Sequence, residues 1–328
     1  MLVGLLLLLA ATSALADPAR PTHYRSTVTG LSSEAGADLS GVRAEVVGGD
    51  AYLVLTAPGG RSVEVPGYEG EPYLRFRADG VVQVNSRSPA RWLNEARYGD
   101  VTVPASADAA APPSWETVAE GGTYAWHDHR VHFMSPALPA GIDPGADEVQ
   151  PVLSWEVPLL VADTPATITG ALEWVPGPGP GIPTALGVLT LLAATALVRT
   201  GAVERALVAA APLTAAVGVW TLQSAPPGSD REPVLVVLPA VAIAGLVLAR
   251  VVGRAEPARG PLLTAAATLP MLAWGGWWAT TWLRPIAPTP LPVGLVRGVV
   301  AAAVAVGLAG VATLVRDALR ATALDDQA

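Results

Sequence analysis

Two textures divide the chain. From residue 17 to about 180, short apolar stretches alternate with turn residues, whereas from residue 182 onward apolar residues run almost without interruption. In the first part, Val42 to Val47, Ala51 to Thr56, Arg61 to Val65, Tyr73 to Arg77 and Val81 to Val84 are short and rich in Val, Leu and Tyr. Between them stand Gly48-Gly49-Asp50, Pro58-Gly59-Gly60, Gly67-Tyr68-Glu69-Gly70 and Asp79-Gly80. Strands so closely spaced, with turn residues separating them, predict a sandwich or barrel. The Ala/Pro-rich stretch Pro104 to Pro113 interrupts the series and reads either as a linker between two lobes, 17–104 and 114–175, or as a long surface loop. After it, Gly122 to Met134, Val149 to Leu160 and Ala166 to Val175 again read as strands. Trp115, Trp126, Trp155 and Trp174 fall in this stretch and are expected to anchor a core or an interface, because each removes a large apolar area from water.

Pro176-Gly177-Pro178-Gly179-Pro180-Gly181 continues neither helix nor sheet and predicts a semi-stiff spacer over 176–181. Beyond it, Ile182 to Val198, Ala206 to Leu222, Val234 to Val252, Leu262 to Leu283 and Val293 to Val315 each approach the ~20 residues a transmembrane helix needs. The predicted fold is therefore a mainly β exported domain, sandwich-like and in one or two lobes. An all-α region of five transmembrane helices follows over 182–315, and then a tail over 316–328.

The first residues agree with export. Leu2 to Ala11 has the length of a signal-peptide apolar core, and Ala14-Leu15-Ala16 followed by Asp17-Pro18 fits cleavage after Ala16. An uncleaved anchor is the competing reading, since the stretch before it carries neither Arg nor Lys. If residue 181 lies outside the membrane, the inner connections and tail carry Arg199, Arg205, Arg250, Arg254, Arg259, Arg316 and Arg320. The outer loops then carry Arg231 and Arg284. That asymmetry satisfies the positive-inside rule and predicts a multi-pass plasma-membrane protein with its β domain extracytoplasmic and its C-terminus cytoplasmic.

Composition narrows the chemistry. All 20 basic residues are Arg, the net charge is −8, and no basic patch accumulates, which argues against a nucleic-acid partner. The absence of Cys excludes disulfides, thiolate metal sites and Cys nucleophiles. No Gly-x-Ser-x-Gly elbow, His-Glu-x-x-His helix or phosphate-cradling Gly-x-x-x-x-Gly-Lys loop occurs, so the sequence leans away from an enzyme. The spans contain no His and only Met271 as a sulfur ligand, which argues against a pump or metal transporter. Trp274, Gly275, Gly276, Trp277, Trp278 and Trp282 read as an interfacial aromatic belt with a Gly pair for close helix packing. Arg297, several residues inside the last span, reads as a side chain snorkelling to the headgroups.

Side-chain chemistry concentrates in Trp126-His127-Asp128-His129-Arg130-Val131-His132-Phe133-Met134, which holds three of the four His. Histidine is the commonest transition-metal ligand and titrates near neutral pH. Read as one strand, the run puts His127 and His129 on one face, about 7 Å apart, and His132 on the other beside Arg130. His127 and His129 are then a chelating pair short of a third ligand, to be supplied by His132, His23, an acidic side chain or Met134. Asp128 and Arg130 would tune such a site. The alternative is a buried His/Asp/Arg network that fastens the strand.

Four segments, Tyr24-Arg25-Ser26-Thr27-Val28, Gly67 to Arg75, Asn85-Ser86-Arg87-Ser88-Pro89-Ala90 and Trp126 to Met134, resemble a group of uncharacterised actinobacterial membrane proteins. The resemblance covers most of 20–175 and hardly touches the helices. No activity attaches to the group. Some members are encoded near periplasmic copper-handling proteins, so the resemblance implies copper as a metal to consider.

Two functions follow as expectations. One is a membrane-anchored accessory protein that binds or senses copper or zinc through His127 and His129, with His132 as a further ligand. The other is a non-catalytic structural or partner-binding module, meeting a membrane or extracytoplasmic protein, in which the same residues form a buried network.

Overall fold

The computed structural model describes residues 19–325, so the predicted signal peptide over 1–16 and the end of the tail lie outside the described residues. The chain forms a β unit, up to Pro176 together with Ala225–Arg231, and a helical unit, Gly177–Ser224 with Glu232 onward.

The β unit has ten strands: β1 Tyr24–Ser32, β2 Arg43–Val47, β3 Tyr52–Thr56, β4 Val63–Pro66, β5 Pro72–Phe76, β6 Val82–Asn85, β7 Trp115–Ala119, β8 Thr123–Trp126, β9 Gln150–Val161 and β10 Thr164–Trp174. A short helix, α1 Pro89–Leu93, follows β6. They form a seven-stranded sheet, β1-β10-β9-β4-β5-β6-β7, and a three-stranded sheet, β2-β3-β8, antiparallel at every paired edge. Alternate positions face inward, as the two-residue period of a strand requires: Ala166, Ile168 and Leu172 on β10, Trp155, Val157, Leu159 and Val161 on β9. They meet Leu53, Leu55 and Trp126 of the smaller sheet in one core. This is the predicted β-sandwich.

Strands from both sides of the Ala/Pro stretch pair directly, β6 with β7 and β4 with β9, so the two expected lobes share one core. Pro104 to Pro113 is accordingly a surface loop. Asn85 Oδ1 accepts the Ser114 N–H at 2.8 Å, and the Arg87 carbonyl accepts the Asp108 N–H at 2.8 Å, tying the loop to the end of β6.

Trp126, Trp155 and Trp174 are buried as expected, while Trp115 is half-buried under the Arg75 guanidinium, 4.2 Å from its ring centroid. Trp155 shows how register is fixed. It lies directly across from Gly170, and a Cβ at Gly170 would fall inside its indole. The indole N–H reaches Ser26 Oγ on β1 at 2.8 Å. One ring thus ties three strands.

Residues 225–231 complete the β unit at the free edge of β8. The Pro227 carbonyl accepts the Ala125 N–H at 2.7 Å, and the Asp230 N–H reaches the Tyr52 hydroxyl at 3.2 Å. Gly228, at φ +92°, permits the approach, since a side chain there would collide with the Ala125 carbonyl and the Tyr124 ring.

The helical unit contains α2 Gly181–Thr200, α3 Val203–Gln223, α4 Val234–Ala255, α5 Gly260–Ala266, α6 Leu269–Trp278, a 3-10 turn Ala279–Trp282, and α7 Val293–Asp325. Among the described residues four helices, α2, α3, α4 and α7, are long and apolar enough to cross a membrane. The remaining predicted span, Leu262 to Leu283, is built in pieces. Pro270 lacks the N–H that would continue the ladder from Ala266, and the chain breaks at Ala267-Thr268.

Of the four Trp of this segment, Trp277 and Trp282 are half-buried. Trp274 and Trp278 are buried in the bundle and stack at 5.8 Å. Pro239 in α4 leaves the Leu235 carbonyl without its helical donor, and Trp274 Nε1 supplies one at 3.0 Å. Gly275 serves close packing, as expected, against Val304 of α7, whereas Gly276 faces open space. Arg297 donates to the carbonyls of Thr281 at 2.7 Å and Arg284 at 3.1 Å, so it closes the end of the broken helix.

The Trp155–Gly170 contact generates a prediction. Gly170→Ala should cost about 1–3 kcal/mol through overpacking, while Gly59→Ala, whose new Cβ would meet its nearest atom at 3.8 Å, should stay within about 0.5 kcal/mol. Thermal unfolding of the full chain in detergent measures both. A Gly170→Ala protein as stable as the parent would remove this contact as a register constraint.

Candidate functional site

β8 ends at Trp126, and the run beyond it is a turn, not a strand. Asp128 is the cause. Its Oδ1 accepts the Arg130 N–H at 3.0 Å, the local bond that lets Asp compete with a sheet ladder, and its carbonyl accepts the Val131 N–H at 3.1 Å. The side-chain alternation expected of a straight strand is therefore lost. His132 turns back beside the other two, with ring centroids 5.0 Å from His127 and 5.5 Å from His129.

Asp128 has no exposed surface, yet it is saturated. Arg130 Nε donates to Oδ1 at 2.8 Å and Arg130 Nη2 to Oδ2 at 2.7 Å, while Trp126 Nε1 donates to Oδ2 at 2.8 Å. Burial alone would raise the carboxyl pKa, but the Arg130 charge and these donors hold it below the ordinary value. Arg130 extends the network: its Nη1 reaches the Pro66 carbonyl at 3.2 Å, and its guanidinium lies 5.2 Å over the Tyr68 ring.

Each imidazole has a different anchor. His127 Nδ1 donates to the Ala51 carbonyl at the start of β3. His129 Nε2 donates to the Ala96 carbonyl at 2.9 Å, its backbone N–H donates to Tyr68 Oη at 2.9 Å, and its ring stacks on Tyr68 at 5.6 Å. Tyr68 in turn donates to Asn94 Oδ1, and Asn94 Nδ2 donates to the buried Tyr73 hydroxyl at 3.1 Å. His129 thus fastens the turn to the segment after α1. His132 Nδ1 has only the Phe133 carbonyl at 3.4 Å, and its Nε2 is buried with no hydrogen-bond partner among the described residues.

Burial lowers the pKa of both His129 and His132. The Ala96 and Leu93 carbonyls work against the shift for His129. For His132 the Arg97 charge and the two neighbouring imidazoles add to burial and push it down to about 2. Arg97 is itself ion-paired with Asp50, whose side chain is 1% exposed.

The candidate ligands are therefore brought together only in part. His127, His129 and His132 are neighbours, but His129, half of the expected chelating pair, is committed to Tyr68 and the carbonyls near α1. His23 stacks on Trp174 at 4.4 Å and its Nδ1 donates to the Val175 carbonyl at 3.0 Å. Met134 is 40% exposed. Among the described residues no group of three or more His, Asp or Glu side chains is arranged to hold a metal ion.

At the turn before β5, Tyr68 packs against the core and Glu71 points inward. Glu71 is buried, accepts the Glu69 N–H at 3.0 Å and the Ser88 hydroxyl, and occupies the space a Cβ at Gly67 would need. Asn94, Asp50 and Arg97 carry no motif, and only the fold gathers them here. The one local signal was Asp128 itself, a turn former inside an apparent strand. Comparison with protein-family models, with curated proteins and with solved structures gives no match for this chain.

His132 binds a proton far more weakly folded than unfolded. Its stabilising contribution is complete above the ordinary histidine value of 6.5 and is lost as pH falls from there toward about 2. Stability should drop by about 1.4 kcal/mol per pH unit below that value, and His132→Gln should flatten the slope. Melting curves of the full chain across this range test it, and a slope that survives the substitution would assign the effect to another group.

Proposed function

We propose that the protein is a non-catalytic, membrane-anchored module whose extracytoplasmic β unit presents a rigid surface to a membrane or extracytoplasmic protein partner. In this reading the Trp126 to Met134 run is an internal fastening. The observation that carries it is the saturation of Asp128: a fully buried carboxylate whose donors come from Trp126 and Arg130, two residues to either side, leaves no charge for a substrate or an ion. Arg130→Met leaves that carboxylate uncompensated and should cost about 3–5 kcal/mol. The wild-type chain, grown with added copper or zinc, should carry no stoichiometric metal, and His127→Ala/His129→Ala should lower its melting temperature. Stoichiometric metal that disappears in the double variant would overturn this reading in favour of the next.

One observation favours a second reading, an accessory protein that binds or senses copper or zinc. His132 Nε2 is buried and lacks a hydrogen-bond partner among the described residues, with the His127 ring 5.0 Å away. His127 and His129 each donate one ring N–H to a backbone carbonyl, the arrangement that orients metal-bound imidazoles.

The orientation belongs to the same proposal. Four helices long and apolar enough to cross a membrane, together with the broken segment α5–α6 as the return crossing between α4 and α7, put Arg199, Arg205, Arg250, Arg254, Arg259, Arg316 and Arg320 on one side and support a cytoplasmic C-terminus. Because the chain has no Cys, single replacements report sidedness cleanly. An impermeant maleimide should label Ser106→Cys in intact cells and reach Ala255→Cys only after lysis. The opposite pattern would invert the topology.

A further inference from the structure

We propose that the helical unit binds the phosphate headgroup of an anionic phospholipid in the pocket where the α2–α3 and α4–α5 connections meet α7. The proposal rests on the membrane reading above. The pocket has a volume of about 530 Å³, within the range of small-ligand sites. Its wall includes the buried Val203, Ala249 and Ala265, and its polar groups include Arg250, Arg254 and Arg316 with Glu204.

Helix geometry puts this pocket at headgroup depth. Along α7, Arg316 lies about 35 Å from Val293 at 1.5 Å per residue, slightly more than the ~30 Å of hydrocarbon a helix crosses. Helix α2 ends at Gly201, in the left-handed conformation at φ +64°, and Gly201 also lines the pocket. Gly253 and Gly260 draw α4 and α5 together beside it, since a Cβ on Gly253 would stand 3.1 Å from the Gly260 Cα.

Charge selects the ligand. Arg250 Nε is held by Glu204 Oε1 at 2.8 Å, and Arg316 Nε by the neighbouring Asp317 at 3.0 Å, which leaves the terminal nitrogens of both guanidinium groups. Arg254 has no ion-pair or side-chain hydrogen-bond partner among the described residues. A guanidinium fork matches two phosphate oxygens, and basic pockets between helices at the inner leaflet suit anionic headgroups. A lipid is favoured over a free phosphate because Val251 and Leu262, on the same two helices, are more than half exposed and offer a surface for acyl chains.

The test uses the full chain, depleted of lipid in a neutral detergent. Phosphatidylglycerol should bind near one equivalent and raise the melting temperature, whereas phosphatidylcholine and millimolar inorganic phosphate should not. Arg254→Gln/Arg316→Gln should weaken the phosphatidylglycerol response by about tenfold or more. Arg199→Gln/Arg205→Gln removes the same charge from the same connections and should leave it intact. Melting temperatures of all variants without lipid establish that each is folded. Equal responses to the two lipids, equal loss in both double variants, or an equal response to inorganic phosphate would each overturn the proposal. Failure of the membrane reading itself shows separately, as a wild-type chain that does not fractionate with membranes.

Discussion

The β unit is organised around a carboxylate with no access to water. Burying a charge is costly unless it is paired and hydrogen-bonded, and Asp128 meets that demand from within three residues of itself, through Arg130 and Trp126. The solution dictates the local shape. Arg130 must curl back over Asp128, so the strand that starts at Thr123 has to stop at Trp126. The turn presents a backbone N–H to Tyr68 and an imidazole to the segment after α1, while the Trp126 ring fills the space between the sheets. Polar and apolar requirements are met by one piece of chain.

The helical unit obeys the same accounting of backbone groups with different means. Pro239 and Pro270 each remove a donor from a helical ladder. At Pro239 a Trp indole reaches across to the stranded carbonyl. At Pro270 the chain breaks, and Arg297 closes the downstream end through two carbonyls. Trp274 and Arg297, which in sequence look like a lipid-facing aromatic and a misplaced charge, both satisfy open backbone carbonyls.

Much of the architecture was legible in sequence because it rests on period and punctuation. β2 through β6, β9 and β10 fall close to the segments that Val, Leu, Tyr and the Gly/Pro/Asp turns marked out, and four of the five apolar stretches are single long helices. β1 and β7 escaped because neither shows a clean alternation: β7, Trp-Glu-Thr-Val-Ala, is an edge strand with little to bury. The geometry of the His run was misjudged for a physical reason. Hydrophobic period describes the backbone only while nothing local competes with the ladder, and the Asp128 side chain does compete. Tyr68, Asn94, Asp50 and Arg97 could not be assigned to this place at all, since sheet pairing between distant segments brings them there.

The short segment Ala225–Arg231 changes what counts as the β domain of this protein. In sequence it is merely the connection between α3 and α4, yet it covers the edge of β8 through Pro227, Gly228 and Asp230. The β fold is therefore discontinuous along the chain. Cutting at the Pro/Gly spacer would not release an intact domain: it would leave β8 as a bare sheet edge, with the Ala125 N–H open to pairing with another molecule. A connection between two long apolar helices thus guards a sheet edge against edge-to-edge association, so the two textures of the chain cannot be handled as two proteins.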